Sequence, residues 1–186
     1  LYINGQEVGT HIGGNDPFSY NITQFLDGEK KLQELELSVW DPTDTGTQPR
    51  GKQTLRPRGI WYSAVSGIWQ TVWLEAVEKT HIYQINFNSD IDQKKIKIDL
   101  GLKNPEGNEK FSIKISQGGA PIINQIFDSN QDLNIQIPNP KLWSPNHPHL
   151  YDIEINVIRN GVSLDKINSY FAMRKITLGK DKNGFT

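Results

Sequence analysis

The sequence IEINVIRNGVSLDKI, residues 153–167, decides the fold class of this chain. Apolar and polar residues alternate on both sides of Asn160-Gly161, and this two-residue period is typical of strands with one buried face. A type I′ turn requires a positive φ at both central positions, which an Asn-Gly pair accepts. The segment therefore predicts a β-hairpin.

The same alternation recurs through most of the chain. It is found at residues 35–39, 82–87, 96–102, 111–115 and 133–137, and at residues 151–158, which lead into the hairpin. Turn-forming pairs separate these segments, including Asn4-Gly5, Asp27-Gly28 and Gly118-Gly119. No stretch has a sustained helical period, and residues 22–26 are expected to form one helical turn. Short strands in this arrangement predict an all-β chain of two antiparallel β-sandwich domains.

A domain boundary is predicted near residues 77–81, where the polar sequence EKTH separates two series of strands. Residues 80–176 have the length and strand number of an immunoglobulin-like β-sandwich. Residues 1–79 offer few strands for a sandwich of their own. We therefore expect this first domain to lack its N-terminal half or to borrow strands from elsewhere, and open strand edges of that kind tend to pair with other chains.

The composition excludes several classes of function. The 186 residues include 20 Lys and Arg against 21 Asp and Glu, so the net charge of −1 gives no basis for binding nucleic acid or an anionic membrane. The absence of cysteine rules out a disulfide framework and a thiolate metal site. No apolar run reaches membrane-spanning length, and no signal peptide precedes the first strand-like residues.

The most distinctive segment is WDPTDTGTQPRGKQTLRPRGIWYSAVSGIWQTVWLE, residues 40–75. It contains four of the five tryptophans and joins two strand-like runs through a long polar loop. Loops of this length in compact domains are usually functional or disordered. Its mixture of Trp, Tyr, Arg, Lys and Asp with Gly and Pro suits a surface that meets planar, hydroxylated ligands.

Two aromatic residues of this loop, Trp61 and Tyr62, are candidates for stacking on the C–H face of a sugar. The alternative for Trp61 is a structural role in the core of its domain or at a domain interface. Trp69 and Trp73 lie four residues apart on a predicted strand, so they share one face. At least one of these two is expected in the core.

The charged residues of the loop have several interpretations. Asp41 and Asp44 are candidates to accept hydrogen bonds from sugar hydroxyls, or to ligate a hard cation such as Ca²⁺. Alternatively, Asp41-Pro42 starts a turn that the aspartate side chain caps. Arg50 and its neighbours either line the way to an acidic sugar or are surface charge on a mobile loop, and these neighbours are Lys52, Arg56 and Arg58.

The remaining candidates favour structural roles. Trp143, in the sequence PKLWSPNHPHLY, is expected to hold the second sandwich together. His147 and His149 have no further ligands at a suitable spacing, so they are interpreted as surface residues. No metal site and no cofactor are predicted.

Several motifs in order resemble glycoside hydrolase family 2. Those of its sugar-binding jelly-roll domain stand here as GGNDPFSYNIT (13–23), WDPTDTGTQPRGKQ (40–53) and SGIWQTVWLE (66–75). Those of its immunoglobulin-like domain stand as PKLWSP (140–145), HLY (149–151) and YFAMRKI (170–176), with Ala172 where the family more often has glycine. Gly184-Phe185 resembles the lead-in to the catalytic barrel. The resemblance covers essentially the whole chain and is nearest to the β-galactosidase-type enzymes.

The resemblance implies a jelly-roll domain at residues 1–79, an immunoglobulin-like domain at 80–176 and a lead-in at 177–186 to a barrel that this chain lacks. The family's two catalytic glutamates lie on that barrel, so no catalytic residue is assigned and the chain alone is expected to be inactive. Three glutamates of this chain, Glu75, Glu78 and Glu106, are interpreted as exposed strand-end or turn residues. Loops of the jelly-roll domain reach the rim of the active-site pocket in this family. That position implies a substrate-rim role for Trp61, Tyr62, Asp41, Asp44 and Arg50.

Three hypotheses follow. The first is a non-catalytic accessory segment of a retaining family 2 β-glycosidase, which contacts carbohydrate in the full-length enzyme and packs on its barrel, with homo-oligomerisation left open. The second is a freestanding carbohydrate-binding module, which needs a complete sandwich and an exposed aromatic platform. The third is a structural pair of sandwiches without sugar affinity. The cellular compartment is open, with the periplasm or secretion favoured for an enzyme that degrades polysaccharides.

Overall fold

The computed structural model describes residues 1–180, 182 and 184. Its internal contacts divide the chain into two compact units, Leu1–Trp73 and Leu74–Thr186. The domain boundary at residues 79 and 80 stays a prediction, and Phe185 of the predicted lead-in lies outside the described residues. No helix in the described part of the chain combines the length and the apolar character that crossing a membrane requires.

The first unit contains short strands of two residues each. They are β1 (Tyr2–Ile3), β2 (Gln6–Glu7), β3 (Leu35–Glu36), β4 (Gln53–Thr54) and β5 (Tyr62–Ser63). Strand β1 pairs antiparallel with β2 and β3, whereas β4 and β5 pair in parallel. The helical turn expected at residues 22–26 is confirmed as a 3₁₀ turn at Thr23–Phe25.

Three predictions for this unit are wrong. The strand predicted at residues 35–39 covers only Leu35–Glu36, and no strand contains Trp69 or Trp73. Trp69 and Trp73 are 68% and 73% exposed, so neither lies in a core. The Trp69 indole N–H donates instead to the Gly14 carbonyl at 2.7 Å. Alternation alone does not make a strand, because an extended segment also needs neighbouring strands to receive its backbone hydrogen bonds.

The second unit is an antiparallel β-sandwich. Its strands are β6 (His81–Asp90), β7 (Lys95–Lys103), β8 (Lys110–Gln117), β9 (Ala120–Asp128), β10 (Leu133–Gln136), β11 (Tyr151–Arg159) and β12 (Val162–Phe171). One sheet has the order β10-β7-β6 and the other β12-β11-β8-β9, with every pairing antiparallel. The predicted all-β fold class is confirmed.

The inward faces of the two sheets form one apolar core. Buried and more exposed residues alternate along the strands, as they do from Tyr151 to Val157 in β11. The buried set is Ile96, Ile98, Phe111, Ile113, Ile115, Leu133, Ile135, Ile137, Tyr151, Ile153, Ile155, Val157, Phe171 and Met173. Full burial of a large apolar side chain contributes about 1.5–3 kcal/mol. Burial of the apolar residues that alternate in the sequence therefore stabilises the sandwich.

The Asn160-Gly161 turn is the predicted hairpin turn. Asn160 has a φ of 51° and Gly161 a φ of 79°, which is the backbone of a type I′ turn. The strands pair from Arg159 and Val162 outward. The turn sets these first pairs, the register then shifts between Val157 and Ile158, and the apolar residues of β11 lie on the core side.

A buried ion pair connects separate parts of the second unit. The buried Glu109 carboxylate accepts the N–H groups of Glu106 and Gly107 at 2.7 and 2.9 Å, and it lies 3.1 Å from Arg159 Nη2. Arg159 Nη2 also donates to the Thr80 hydroxyl at 2.7 Å. Burial raises the pKa of Glu109, but the backbone hydrogen bonds and the guanidinium together bring it below its ordinary value. Glu109 is therefore held as a carboxylate inside the fold.

Candidate functional site

The Asp41 carboxylate closes the long loop at its base. Its Oδ1 accepts the Thr43 N–H at 2.7 Å, and its Oδ2 accepts the Ser66 hydroxyl at 2.8 Å, 25 residues along the chain. The bond from Thr43, followed by that from Ser66, lowers the pKa of Asp41 below its ordinary value. The side-chain cap predicted for the Asp41-Pro42 turn is therefore present in the structure.

Asp44 connects the first turn of the loop to β4. Its Oδ2 accepts the Thr54 hydroxyl at 2.6 Å and the Leu55 N–H at 3.2 Å. These two hydrogen bonds, with Arg50 nearby, lower the pKa of Asp44 below its ordinary value. A carboxyl group that acts as a general acid in glycoside cleavage needs a raised pKa. Asp41 and Asp44 are therefore suited to holding the loop together and unsuited to that chemistry.

Arg50 brings two of the candidate residues together. Its Nη1 donates to the Asp44 carbonyl at 3.2 Å, and its guanidinium carbon lies 5.7 Å from the centre of the Trp61 ring. That distance is within the range of a cation–π contact. Trp61 is 39% exposed, so it keeps accessible surface while one part of it faces Arg50.

The parallel pair of β4 and β5 anchors the aromatic side of the loop. The Tyr62 N–H donates to the Lys52 carbonyl at 2.8 Å, and the Val65 N–H donates to Gln53 Oε1 at 2.6 Å. Tyr62 itself is exposed. Trp61 and Tyr62 are thus consecutive, accessible aromatic residues on a backbone that is held at several points.

The structure places the predicted rim residues in two groups. Asp44, Arg50 and Trp61 form one chain of contacts, with Tyr62 next to it, whereas Asp41 lies at the base of the loop. Sequence reasoning missed the partners of the aspartates, which are Thr54 and Ser66. A threonine or serine in a polar loop carries no local signal that it will bond to a carboxylate 10 or 25 residues away.

Other candidates have structural contacts. Among the described residues, no three His, Asp or Glu side chains gather so as to hold a metal ion, and the cation alternative for Asp41 and Asp44 gains no support. In the second unit, the backbone N–H of Trp143 donates to the Met173 carbonyl at 2.9 Å. The Arg174 guanidinium lies over the Trp143 ring. These contacts join the turn of residues 140–151 to the end of β12, in keeping with the expected stapling role.

The sequence of this chain is similar to those of known proteins. Residues 80–174 match the sequence model of the family described as Glycosyl hydrolases family 2. The chain is 25% identical to a beta-galactosidase of Thermoanaerobacter pseudethanolicus, covering 97% of this chain and 25% of that protein. It is also 25% identical to a putative beta-glucuronidase of Formosa agariphila, covering 94% of this chain and 21% of that protein.

Solved structures give a weaker likeness. A beta-glucuronidase of Ruminococcus gnavus superposes with a TM-score of 0.47 at 13% identity, over 55% of this chain and 17% of that one. The chain spans 25% and 21% of the length of the two curated relatives named above. Their activities are those of proteins several times longer.

Proposed function

The chain belongs to glycosyl hydrolase family 2, and on that premise we propose that it is a non-catalytic accessory segment of a retaining β-glycosidase. The observation that carries the proposal is the family match over residues 80–174, which coincides with the β-sandwich of the second unit. The small share of each relative that the chain covers supports an accessory part of a larger enzyme. The substrate of that enzyme is a carbohydrate.

The described residues do not supply the machinery of glycoside cleavage. A retaining glycosidase needs two carboxyl groups about 5–5.5 Å apart across the scissile bond. In the family these groups lie on a (β/α)₈ barrel, and residues 1–180, 182 and 184 contain no α-helix from which to build one. Glu75, Glu78 and Glu106 are exposed, and Glu106 is paired with Arg159 at 2.6 Å. The barrel is therefore proposed as an intramolecular partner in the longer polypeptide.

The long loop is proposed to form part of the substrate rim. Trp61 and Tyr62 offer consecutive aromatic surfaces, and the hydrogen bonds that Asp41 and Asp44 accept hold the loop in one shape before any ligand arrives. A preformed surface loses less conformational entropy on binding than a mobile one. The loop is thus suited to orienting a sugar that another domain cleaves.

An activity assay tests the proposal. The longest natural polypeptide that contains this chain is expected to cleave aryl β-galactosides or aryl β-glucuronides, and the 186-residue chain is expected to cleave neither. Turnover by the chain alone would refute the accessory role. Inactivity of the long polypeptide against a panel of aryl β-glycosides would refute membership in an active glycosidase.

A titration separates this proposal from a freestanding binding module. The isolated chain is expected to bind galactosides, glucuronides and xylosides more weakly than a Kd of about 1 mM, which corresponds to about −4 kcal/mol. Tighter binding by the isolated chain would favour the binding module. In the accessory role, the loop contributes only one wall of the site.

A further inference from the structure

The long loop has an uneven distribution of charge. Between Asp44 and Glu75 the sequence contains no acidic residue, yet it carries four cationic residues in a chain whose net charge is −1. We call these four residues the basic patch: Arg50, Lys52, Arg56 and Arg58. Such a concentration of one sign produces a local positive potential that the composition of the whole chain conceals.

Backbone contacts bring these residues together. The Gln53 N–H donates to the Arg50 carbonyl at 3.1 Å, and the Trp61 N–H donates to the Arg58 carbonyl at 3.0 Å, so that each arginine begins a tight turn. The Tyr62 N–H bonds to the Lys52 carbonyl and joins the two turns. The cationic side chains therefore leave neighbouring stretches of backbone, beside the two exposed aromatic residues.

Within the described part of the chain, none of the four cations of the basic patch has an acidic partner, whereas seven of the other cations do. Among the described residues, no carboxylate oxygen lies within 4.0 Å of a charged nitrogen of the patch. The nearby Asp44 carboxylate binds Thr54 and Leu55, and Arg50 contacts only its carbonyl. Outside the patch, cations with acidic partners are Lys30, Lys97, Lys110, Lys114, Arg159, Lys166 and Lys175.

We propose that the basic patch binds an anionic group, a carboxylate or a sulfate ester, on the saccharide chain that the rim contacts. Arginine presents planar pairs of N–H donors that match both groups. The exposed rings of Trp61 and Tyr62 beside it can pack on the uncharged faces of the same chain. The proposal rests on the proposed rim function and adds the substrate class, which is an acidic oligosaccharide or polysaccharide.

The side chains of the patch can be changed without breaking the loop. Lys52, Arg56 and Arg58 take part in hydrogen bonds only through their backbone, so the triple variant Lys52→Gln/Arg56→Gln/Arg58→Gln keeps every observed loop contact. A matched control is Lys31→Gln/Lys94→Gln/Lys141→Gln, which removes three exposed cations outside the loop. The variant Arg56→Lys/Arg58→Lys keeps the charge and removes the guanidinium geometry.

The experiment measures the affinity of the longest natural polypeptide by titration with three oligosaccharides of similar length. One bears glucuronate, one bears sulfate esters and one is neutral. The triple variant is expected to lower the ratio of anionic to neutral affinity about tenfold at low ionic strength, since each exposed charge contributes a factor of about two to three. Salt near 1 M should abolish most of this difference, because the Debye length there is about 3 Å. The control is expected to retain the ratio, and the lysine variant to retain only part of it, because it keeps the charge and loses the planar donor pairs.

The glucuronate-bearing and sulfated oligosaccharides distinguish the two possible anionic groups. The one that binds more tightly identifies whether the patch recognises a carboxylate or a sulfate ester. An unchanged ratio in the triple variant, or an equal loss in the control, would overturn the proposal. Tighter binding of a single-stranded RNA of equal charge would also overturn it in favour of a nucleic acid. Because titration does not depend on turnover, loss of the glycosidase assignment and loss of the patch assignment remain separate results.

Discussion

Each of the two units of this chain is stabilised internally in a different way. The second unit has fourteen buried apolar side chains between two sheets. Within residues 1–73, Ile3 is the one large apolar side chain that is buried, and Trp40, Trp69 and Trp73 are largely exposed. Order in the first unit comes from polar side chains such as Asp41 and Asp44, which bind backbone N–H groups and hydroxyls along the loop.

This difference determines which changes destabilise each unit. A sandwich with an apolar core is sensitive to the loss of buried methyl groups, because each loss leaves part of a cavity. A loop held by carboxylates is insensitive to packing changes and depends on the charge of a few residues. Substitutions in the second unit should therefore change global unfolding more than substitutions in the loop.

The largest effect is expected from the core of the second unit. Ile155→Ala removes a side chain that is 0% exposed and should lower the free energy of unfolding by about 2–5 kcal/mol, because it leaves a cavity between the sheets. Denaturant unfolding followed by circular dichroism measures it. The matched change Ile12→Ala, at a side chain that is 93% exposed in the first unit, should leave the midpoint unchanged. Similar losses for the two variants would contradict the contrast.

The next effect is expected from the buried ion pair. Glu109→Gln should cost about 3 kcal/mol, because Arg159 loses its buried charge partner. The exposed Glu106 also pairs with Arg159, and Glu106→Gln is the control, with a loss of less than about 1 kcal/mol.

The same pair predicts a pH dependence. The folded pKa of Glu109 lies below the 4.5 of an unperturbed carboxyl group, so its stabilisation is present above pH 4.5 and is lost as the pH falls through the folded value. Unfolding curves of the wild type and of Glu109→Gln should therefore converge on acidification. A constant difference down to the acid limit would show that Glu109 acts through packing alone.

A smaller effect is expected at the hairpin. Gly161→Ala should cost about 1 kcal/mol, because a Cβ is strained at a φ of +79° even though no atom lies within 4 Å of it. Gly179 has the same free space and an ordinary φ, so Gly179→Ala should be neutral. Thermal unfolding of both variants measures the comparison, and a neutral Gly161→Ala would mean that the turn relaxes to another type.

The smallest effect on global unfolding is expected from the loop, where the change is local. Asp41→Asn weakens the bonds to Thr43 and Ser66 and should speed hydrogen exchange across residues 41–66 several-fold while leaving the unfolding midpoint unchanged. Asp16→Asn, at an exposed aspartate of the same unit, is the control.

Acid should reproduce this local change in the wild type. The pKa of Asp41 is lowered from 3.8, so the loop is held above pH 3.8 and is released as the pH falls through the folded value. Exchange measured by mass spectrometry reports it. Exchange that is unaffected by both acid and Asp41→Asn would show that β4 and β5 hold the loop without the carboxylate.

The sandwich could be predicted from sequence because its determinants are local. Alternation in residues 151–158 and the Asn160-Gly161 pair identify β11 and the turn after it, and the structure confirms both. Strand β9 had a weaker signal. Its sequence, APIINQIFD at residues 120–128, has no sustained two-residue alternation, and recognition depends on that alternation.

The candidate site was predictable only in part. The Asp41-Pro42 turn is local and was recognised, but the Ser66 partner and the Arg50–Trp61 contact depend on how the loop folds back. The failure at Trp69 and Trp73 has a related cause, since burial requires an opposing surface that residues 1–73 do not provide. Contacts between residues far apart in sequence cannot be predicted from the residue pattern of either segment alone.

The division of tryptophans between the units has an optical consequence. Trp40, Trp61, Trp69 and Trp73 lie in the first unit, and Trp143, beneath the Arg174 guanidinium, is the single indole of the second. Intrinsic fluorescence of this chain therefore comes mostly from solvated indoles near the loop, with emission at long wavelength. Removing Trp143 would leave a chain whose tryptophan emission comes entirely from the first unit and reports on what approaches the loop.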